Sequence, residues 1–220
     1  MTKKYISNRK YAESLLEWAY QLNPGRWVDH SKNVALAADI LARELRRKGE
    51  DINPDIAYCC GILHDIGRYY GITPSVIHSY HGYLYMMNLG YEGAANICIT
   101  HSFPIASERI EFSNGWDIVP EDMREFIIDK LGAIEWNIYD KIITLCDAIS
   151  ETDGFTLIEK RLVSVAIRNG TNENVPYHWK GFYKLKNEIE AKLENSIYMF
   201  LPEIEKCIYT PMNLENPKNN

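Results

Sequence analysis

The stretch CGILHDIGRYYG, residues 60–71, sets a histidine and an aspartate side by side, His64 and Asp65, directly after an apolar run and just before a glycine. Polar groups withdrawn from water are costly unless they find hydrogen-bond partners or a metal ion. The residues upstream identify the element that delivers them. Asn53-Pro54 reads as an N-cap followed by proline at the first helical position, so a helix is predicted from there to about His64. The pair then occupies the last turn of an apolar helix.

Working outward, apolar residues recur at helical spacing: Tyr11, Leu15, Trp18 and Leu22, then Val34, Ala38, Leu41 and Leu45. Ser7 is the expected cap of the first helix, LNPGR (22–26) breaks it, and Gly49 closes the second. Downstream, helices are predicted from Pro74 to near Gly90, from Tyr91 to near His101, and over 120–132, 137–152 and 156–169. GTNENVPYHWKG (170–181) then separates a last amphipathic helix over roughly 181–208. The segment 102–120 is the longest without clear periodicity; it starts one residue past His101 and reads as a lid or site wall. No strand alternation, internal repeat or low-complexity tract competes. The expectation is an all-α chain, one helical domain over 1–209 with a polar tail over 210–220.

A chain of 220 residues can build one generous core, and 46% hydrophobic with 25% charged residues is ordinary for a soluble globular protein. The net charge of -6 argues against a broad grip on polymeric nucleic acid, while leaving room for a local site that takes a small anion. No apolar stretch approaches the ~20 residues of a membrane helix. The five cysteines, Cys59, Cys60, Cys98, Cys146 and Cys207, form no CxxC pair, and no signal-peptide pattern precedes them. They read as small core residues in a reducing, cytoplasmic setting.

Six histidines remain to be explained: His30, His64, His78, His81, His101 and His178. Imidazole and carboxylate together suit Fe, Mn, Zn, Co or Ni, whereas Ca and Mg favour oxygen cages. A single histidine at a helix end more often caps the last carbonyls. Asp147, in IITLCDAIS (142–150), could by itself pair with Lys141; among Ile143, Cys146 and Ile149, however, an unpaired carboxylate is costly, and metal binding removes that cost.

HDIGR, preceded by a helical histidine in RWVDHSKNVALAA (26–38) and followed by Asp147, resembles the HD-domain superfamily of metal-dependent phosphohydrolases, with its signature H…HD…D. The resemblance covers roughly residues 26–161 and implies a helical HD-type bundle. Position by position, it implies that His30, His64, Asp65 and Asp147 hold a first metal. HSYHGYLYMMNLGYEGAANICITHSF (78–103) is similar to the insert of the dinuclear variant, which implies that His78 and His101 hold a second metal bridged by Asp65. His81, one helical turn from His78, is its rival, and otherwise lines the substrate pocket.

What the resemblance implies for function is hydrolysis of a phosphate ester or anhydride by a metal-activated hydroxide, with one or two divalent transition metal ions, iron first and Mn, Co, Ni or Zn as alternatives. Asp65 and Arg68 are the expected catalytic residues, and Arg26, His81 and Arg161 the substrate contacts. Arg68 reads equally as a surface cation at a helix C-terminus. YHWKGFYKLK (177–186) could stack a base and meet a phosphate, though an amphipathic helix start explains it as well. The expected partner is a small phosphorylated substrate, a nucleotide by preference, with neither nucleic-acid polymer nor membrane, and the oligomeric state stays open. The absence of a GYP tripeptide counts against the cyclic-dinucleotide subgroup. Two rivals stand beside this reading: a di-iron oxygenase of the inositol oxygenase type, which uses the same ordered ligands, and a non-catalytic nucleotide sensor.

Overall fold

The computed structural model describes residues 3–72, 76–104 and 116–212. Helices dominate them. The first, α1 (Arg9–Leu22), is capped by Asn8, not Ser7: the Asn8 side chain accepts the Tyr11 N–H at 3.1 Å, so the helix starts one residue later than expected. Next come α2 (Trp27–Arg47), closed before Gly49 at a positive φ of 95°, and α3 (Pro54–Leu63), capped by Asn53 through the Asp55 N–H. A 3-10 turn over Ile66–Tyr70 leads to α4 (Ile77–Asn88) and α5 (Glu92–Thr100). The expected start at Pro74 lies outside the described residues, as does 105–115 of the expected lid.

After a 3-10 turn at Trp116–Ile118 the chain forms α6 (Glu121–Ala133) and α7 (Ile138–Ala148), the latter opened by a reciprocal capping box between Asn137 and Asp140. A helix over 137–152 was expected; it stops at Ala148, and a small antiparallel hairpin follows, β1 (Ser150–Glu151) with β2 (Gly154–Phe155), turning through Gly154 at φ 136°. Then come α8 (Ile158–Asn169) and α9 (Val175–Leu193).

The single last helix expected over 181–208 is a second correction. It starts earlier, at Val175, and stops at Leu193, where Glu194 turns left-handed at φ 55°. The Glu190 carboxylate accepts the Ser196 hydroxyl at 2.9 Å and the Ile197 N–H at 3.0 Å, folding the chain back on itself. Pro202, which has no N–H to give, lies beyond the stop, between a 3-10 turn at Ile197–Met199 and a short α10 (Lys206–Tyr209). The tail from residue 213 onward lies outside the described residues.

Core packing explains why α3 reads apolar all round. Its Ala57 and Cys60 belong to a cluster with Leu41 and Leu45 of α2, Ile143 and Cys146 of α7 and Ile189 of α9. Cys59, Ile62 and Leu63 face a second cluster with Leu16 of α1, Met86 of α4 and Cys98 of α5. The helix runs between the two, so its C-terminal end delivers His64 and Asp65 into the interior. All five cysteines are buried and free, and burial pushes the thiols of Cys59, Cys60, Cys98 and Cys146 up. Among the described residues no helix is long and apolar enough to cross a membrane.

Candidate metal centre

Five elements converge where α3 ends. His30 comes from the first turn of α2, His64 and Asp65 from the end of α3, His78 from the first turn of α4, His101 from the end of α5 and Asp147 from the last turn of α7. Two glycines let these segments approach. A Cβ on Gly61 would stand 2.6 Å from Ala35 Cα, so α3 and α2 touch backbone to backbone one turn from His30. A Cβ on Gly67 would fall 1.9 Å from the His78 carbonyl oxygen and 2.4 Å from the Gly82 nitrogen, so the turn after Asp65 presses directly onto α4. Asn23, at the end of α1, donates to the Arg68 carbonyl at 2.7 Å and pins the same turn from the other side.

The helix-end histidines use their two nitrogens differently. His64 Nδ1 donates to the Gly61 carbonyl at 2.7 Å and His101 Nδ1 to the Ile97 carbonyl at 3.1 Å, each closing its own helix. In a neutral ring that bond holds the proton on Nδ1 and leaves a lone pair on Nε2. His64 is 1% exposed, and its Nε2 has no hydrogen-bond partner. A buried lone pair without a donor is what a cation satisfies.

Around it the acceptors crowd. His30 Nε2 stands 2.8 Å from Asp147 Oδ1, while His64 Nε2 is 3.9 Å from that oxygen and 3.9 Å from Asp65 Oδ2. On the other side Asp65 Oδ1 is 3.1 Å from His78 Nε2 and 3.5 Å from His101 Nε2, and the two imidazole nitrogens face each other at 3.2 Å. Three potential acceptors aimed at one another need positive charge between them, whether a proton on an imidazole or a metal cation. Two groups of side chains could hold a metal ion, His30 with His64 and Asp65, and Asp65 with His78 and His101. Asp65 is common to both, and Asp147 adjoins the first through His30.

Electrostatics keep His64, His78, Asp65 and Asp147 in ligating form. Burial drives the His64 pKa down to about 4 against the pull of Asp65, and burial followed by the Arg68 charge lowers His78. For Asp65 burial pushes upward, but Arg68, His78 and His64 outweigh it and hold the carboxyl well below its ordinary range. Asp147 is likewise lowered, burial being outweighed by the His30 hydrogen bond and the neighbouring imidazoles. His101 goes the other way: burial lowers it, yet the bond to Asp65 and its charge raise it overall.

The remaining expected residues make contacts of their own. Arg68 Nε donates to Asp65 Oδ2 at 2.5 Å, so its guanidinium is paired with that carboxylate. His81 belongs to neither ligand group: its ring lies parallel to that of Tyr70, centroids 3.7 Å apart, with a buried, unpartnered Nε2. Arg26 is exposed and pairs with Asp153, and Arg161 pairs with Glu151 of β1 at 2.9 Å, so both engage the hairpin that follows α7. Lys141 pairs with Glu188, not with Asp147.

Residues that sequence reasoning missed sit beside His101. Ser102 Oγ is 3.0 Å from His101 Nε2 and 3.1 Å from Ser79 Oγ on α4. Adjacency to two expected ligand histidines was the available signal for both serines. The sequence matches the HD domain family over residues 27–152. No curated protein and no solved structure gives a significant match.

Proposed function

The chain belongs to the HD-domain family, a superfamily of metal-dependent hydrolases, and from that premise we propose that it is a phosphohydrolase acting on a small phosphorylated substrate, a nucleotide by preference. In this reading His30, His64, Asp65 and Asp147 hold one divalent cation, and Asp65, His78 and His101 a second. The donor set, imidazole nitrogen with carboxylate oxygen, suits iron, manganese, cobalt, nickel or zinc, with iron placed first. When bound, such ions supply Lewis acidity toward a phosphoryl oxygen and a nucleophile at neutral pH.

The observation that carries the reading is the sharing of Asp65 between both three-residue groups. Each carboxylate oxygen has its own side: Oδ1 meets His78 and His101, and Oδ2 meets Arg68. Arg68 holds the carboxylate in orientation and keeps it ionised, and its own side chain, a third exposed, is within reach of a phosphate oxygen at the rim. Arg26 is 64% exposed, so its ion pair with Asp153 is worth little in water and is readily exchanged for a substrate phosphate. Arg161 and His81 are the other proposed substrate contacts, and one HD-type domain over 1–209 carries them.

The test is phosphate release from nucleoside mono-, di- and triphosphates and from p-nitrophenyl phosphate, run anaerobically with protein stripped by chelator and reloaded with Mn, Co or Fe. Release that disappears on stripping and returns on reloading is expected. Metal-loaded protein that frees no phosphate from any of these, or iron-loaded protein that consumes oxygen with such a substrate in a parallel aerobic assay, overturns the proposal.

A further inference from the structure

The 3-10 turn that follows Asp65 carries two tyrosines that part company. Tyr69 turns to the packed side: its ring centroid is 5.2 Å from that of Trp18 on α1 and 5.3 Å from that of Tyr85 on α4, and those two rings stack on each other at 4.8 Å. Tyr70 turns away from this group and is 62% exposed. It is held even so. Its ring lies parallel to that of His81, centroids 3.7 Å apart and planes inclined by 13°, and the imidazole behind it is buried.

A stacked pair leaves the outer face of its outer ring free. Here the outer ring is already fixed by its buried partner, so a second flat ring landing on it gains the stacking without ordering the side chain. The turn below is fixed too: Gly67 sits against the backbone of α4, and Asn23 donates to the Arg68 carbonyl at 2.7 Å. Both members of the stack adjoin the cluster. Tyr70 is two residues past Arg68, whose guanidinium binds Asp65, and His81 is one helical turn past His78. His81 Nε2 is a second, independent sign that a ligand belongs here, because it is buried without a hydrogen-bond partner, and buried polar atoms are as a rule bonded.

We propose that Tyr70 is a specificity-determining residue: its open face, backed by His81, is a platform on which the base of a nucleotide stacks while the phosphate goes to Arg68 and the cluster. The inference rests on the phosphohydrolase reading above and gives that site its substrate class. Every base has a flat π face, so the platform favours nucleotides over sugar phosphates without choosing among bases.

The experiment measures, by calorimetry on Co²⁺-loaded protein, the binding of inorganic phosphate, ribose 5-phosphate and the AMP, GMP, CMP and UMP nucleotides to wild type, Tyr70→Ala, Tyr70→Leu and Tyr70→Phe. Tyr70 is mostly exposed, so the variants are expected to fold, and a thermal melt of each checks this. Wild type is expected to bind the nucleotides more tightly than ribose 5-phosphate. Tyr70→Ala and Tyr70→Leu, which offer no planar face, bind nucleotides about tenfold more weakly and keep the wild-type affinities for phosphate and ribose 5-phosphate. Tyr70→Phe matches wild type throughout. The inference is overturned if Tyr70→Ala leaves nucleotide affinity unchanged, or if it weakens all three ligand classes alike, which is the mark of a disturbed structure and not of a lost stack. Wild type that binds phosphate and ribose 5-phosphate but prefers no nucleotide removes the platform alone, and wild type that binds none of these ligands removes the phosphohydrolase reading with it.

Discussion

Replacing Gly67 by alanine tests whether backbone contact, rather than side-chain chemistry, sets the geometry of the site. The new Cβ would lie 1.9 Å from the His78 carbonyl oxygen, 2.4 Å from the Gly82 nitrogen and 2.9 Å from the His78 carbonyl carbon. All three are backbone atoms, so no rotamer change relieves the clash. Restoring an ordinary separation of about 3.5 Å requires the turn and α4 to part by about 1.5 Å. His78 rides on α4 with its Nε2 3.1 Å from Asp65 Oδ1, and the same movement carries it beyond hydrogen-bond reach. Overpacking of this kind costs about 1–3 kcal/mol, and at the upper end the melting temperature of a chain this long falls by about 6–12 °C. Misplacing a reactive group by about 1 Å costs on the order of 100-fold in turnover. Thermal melts of chelator-stripped protein isolate the packing cost, and the rise in melting temperature on adding Co²⁺ or Mn²⁺ isolates the loss of binding. Gly132→Ala is the control: nothing lies within 4 Å of its Cβ in α6, and alanine there stabilises by about 0.5–1 kcal/mol. A Gly67→Ala protein that melts like wild type and binds metal as wild type does would refute the reasoning.

Gly61→Ala presses a methyl onto Ala35 Cα at 2.6 Å between α2 and α3, so stripped protein should lose about 3 kcal/mol in urea unfolding; an unchanged midpoint contradicts the packing described. Chelation should lower the melting temperature, with saturating metal at 100 times its dissociation constant restoring about 2.7 kcal/mol, and an insensitive melt argues against a metal centre. For stripped protein the His64 pKa is about 4 folded against 6.5 unfolded, so the unfolded chain protonates first and stability falls as pH drops from 6.5 to about 4. The loss from His64 is at most on the order of 3 kcal/mol; His78, His81 and His178 act in the same direction and His101 opposes them, and a urea midpoint that fails to drop between pH 7 and pH 5 contradicts this. Arg26→Gln should change stability by less than about 1 kcal/mol, because the Asp153 pair is exposed, while raising KM for phosphorylated substrates; an unchanged KM removes Arg26 from the substrate contacts.

How far the site was legible follows from whether the deciding contact is local. Asn53-Pro54 and the all-round apolar character of α3 act within one helix, and they suffice to bury His64 and Asp65. The capping of α1 by Asn8 and the stop of α9 at Glu194 were missed for opposite reasons. Ser7 and Asn8 are both good caps, and only the bond actually made selects between them. The stop depends on Glu190 reaching seven residues ahead to the Ile197 N–H, which no helical period displays. His78 and His81 share a turn and a residue type, so spacing leaves them equivalent. What separates them is Gly67 seated on the His78 carbonyl and Tyr70 stacked on His81, both contributed by a segment that α4 meets only after folding. The same holds for Ser79 and Ser102, 23 residues apart and joined hydroxyl to hydroxyl. At His64 and His101, finally, the opposition between a capping histidine and a ligand histidine dissolves. Nδ1 closes the helix and Nε2 faces the cluster, so the cap is what fixes the tautomer that leaves a nitrogen available to a metal.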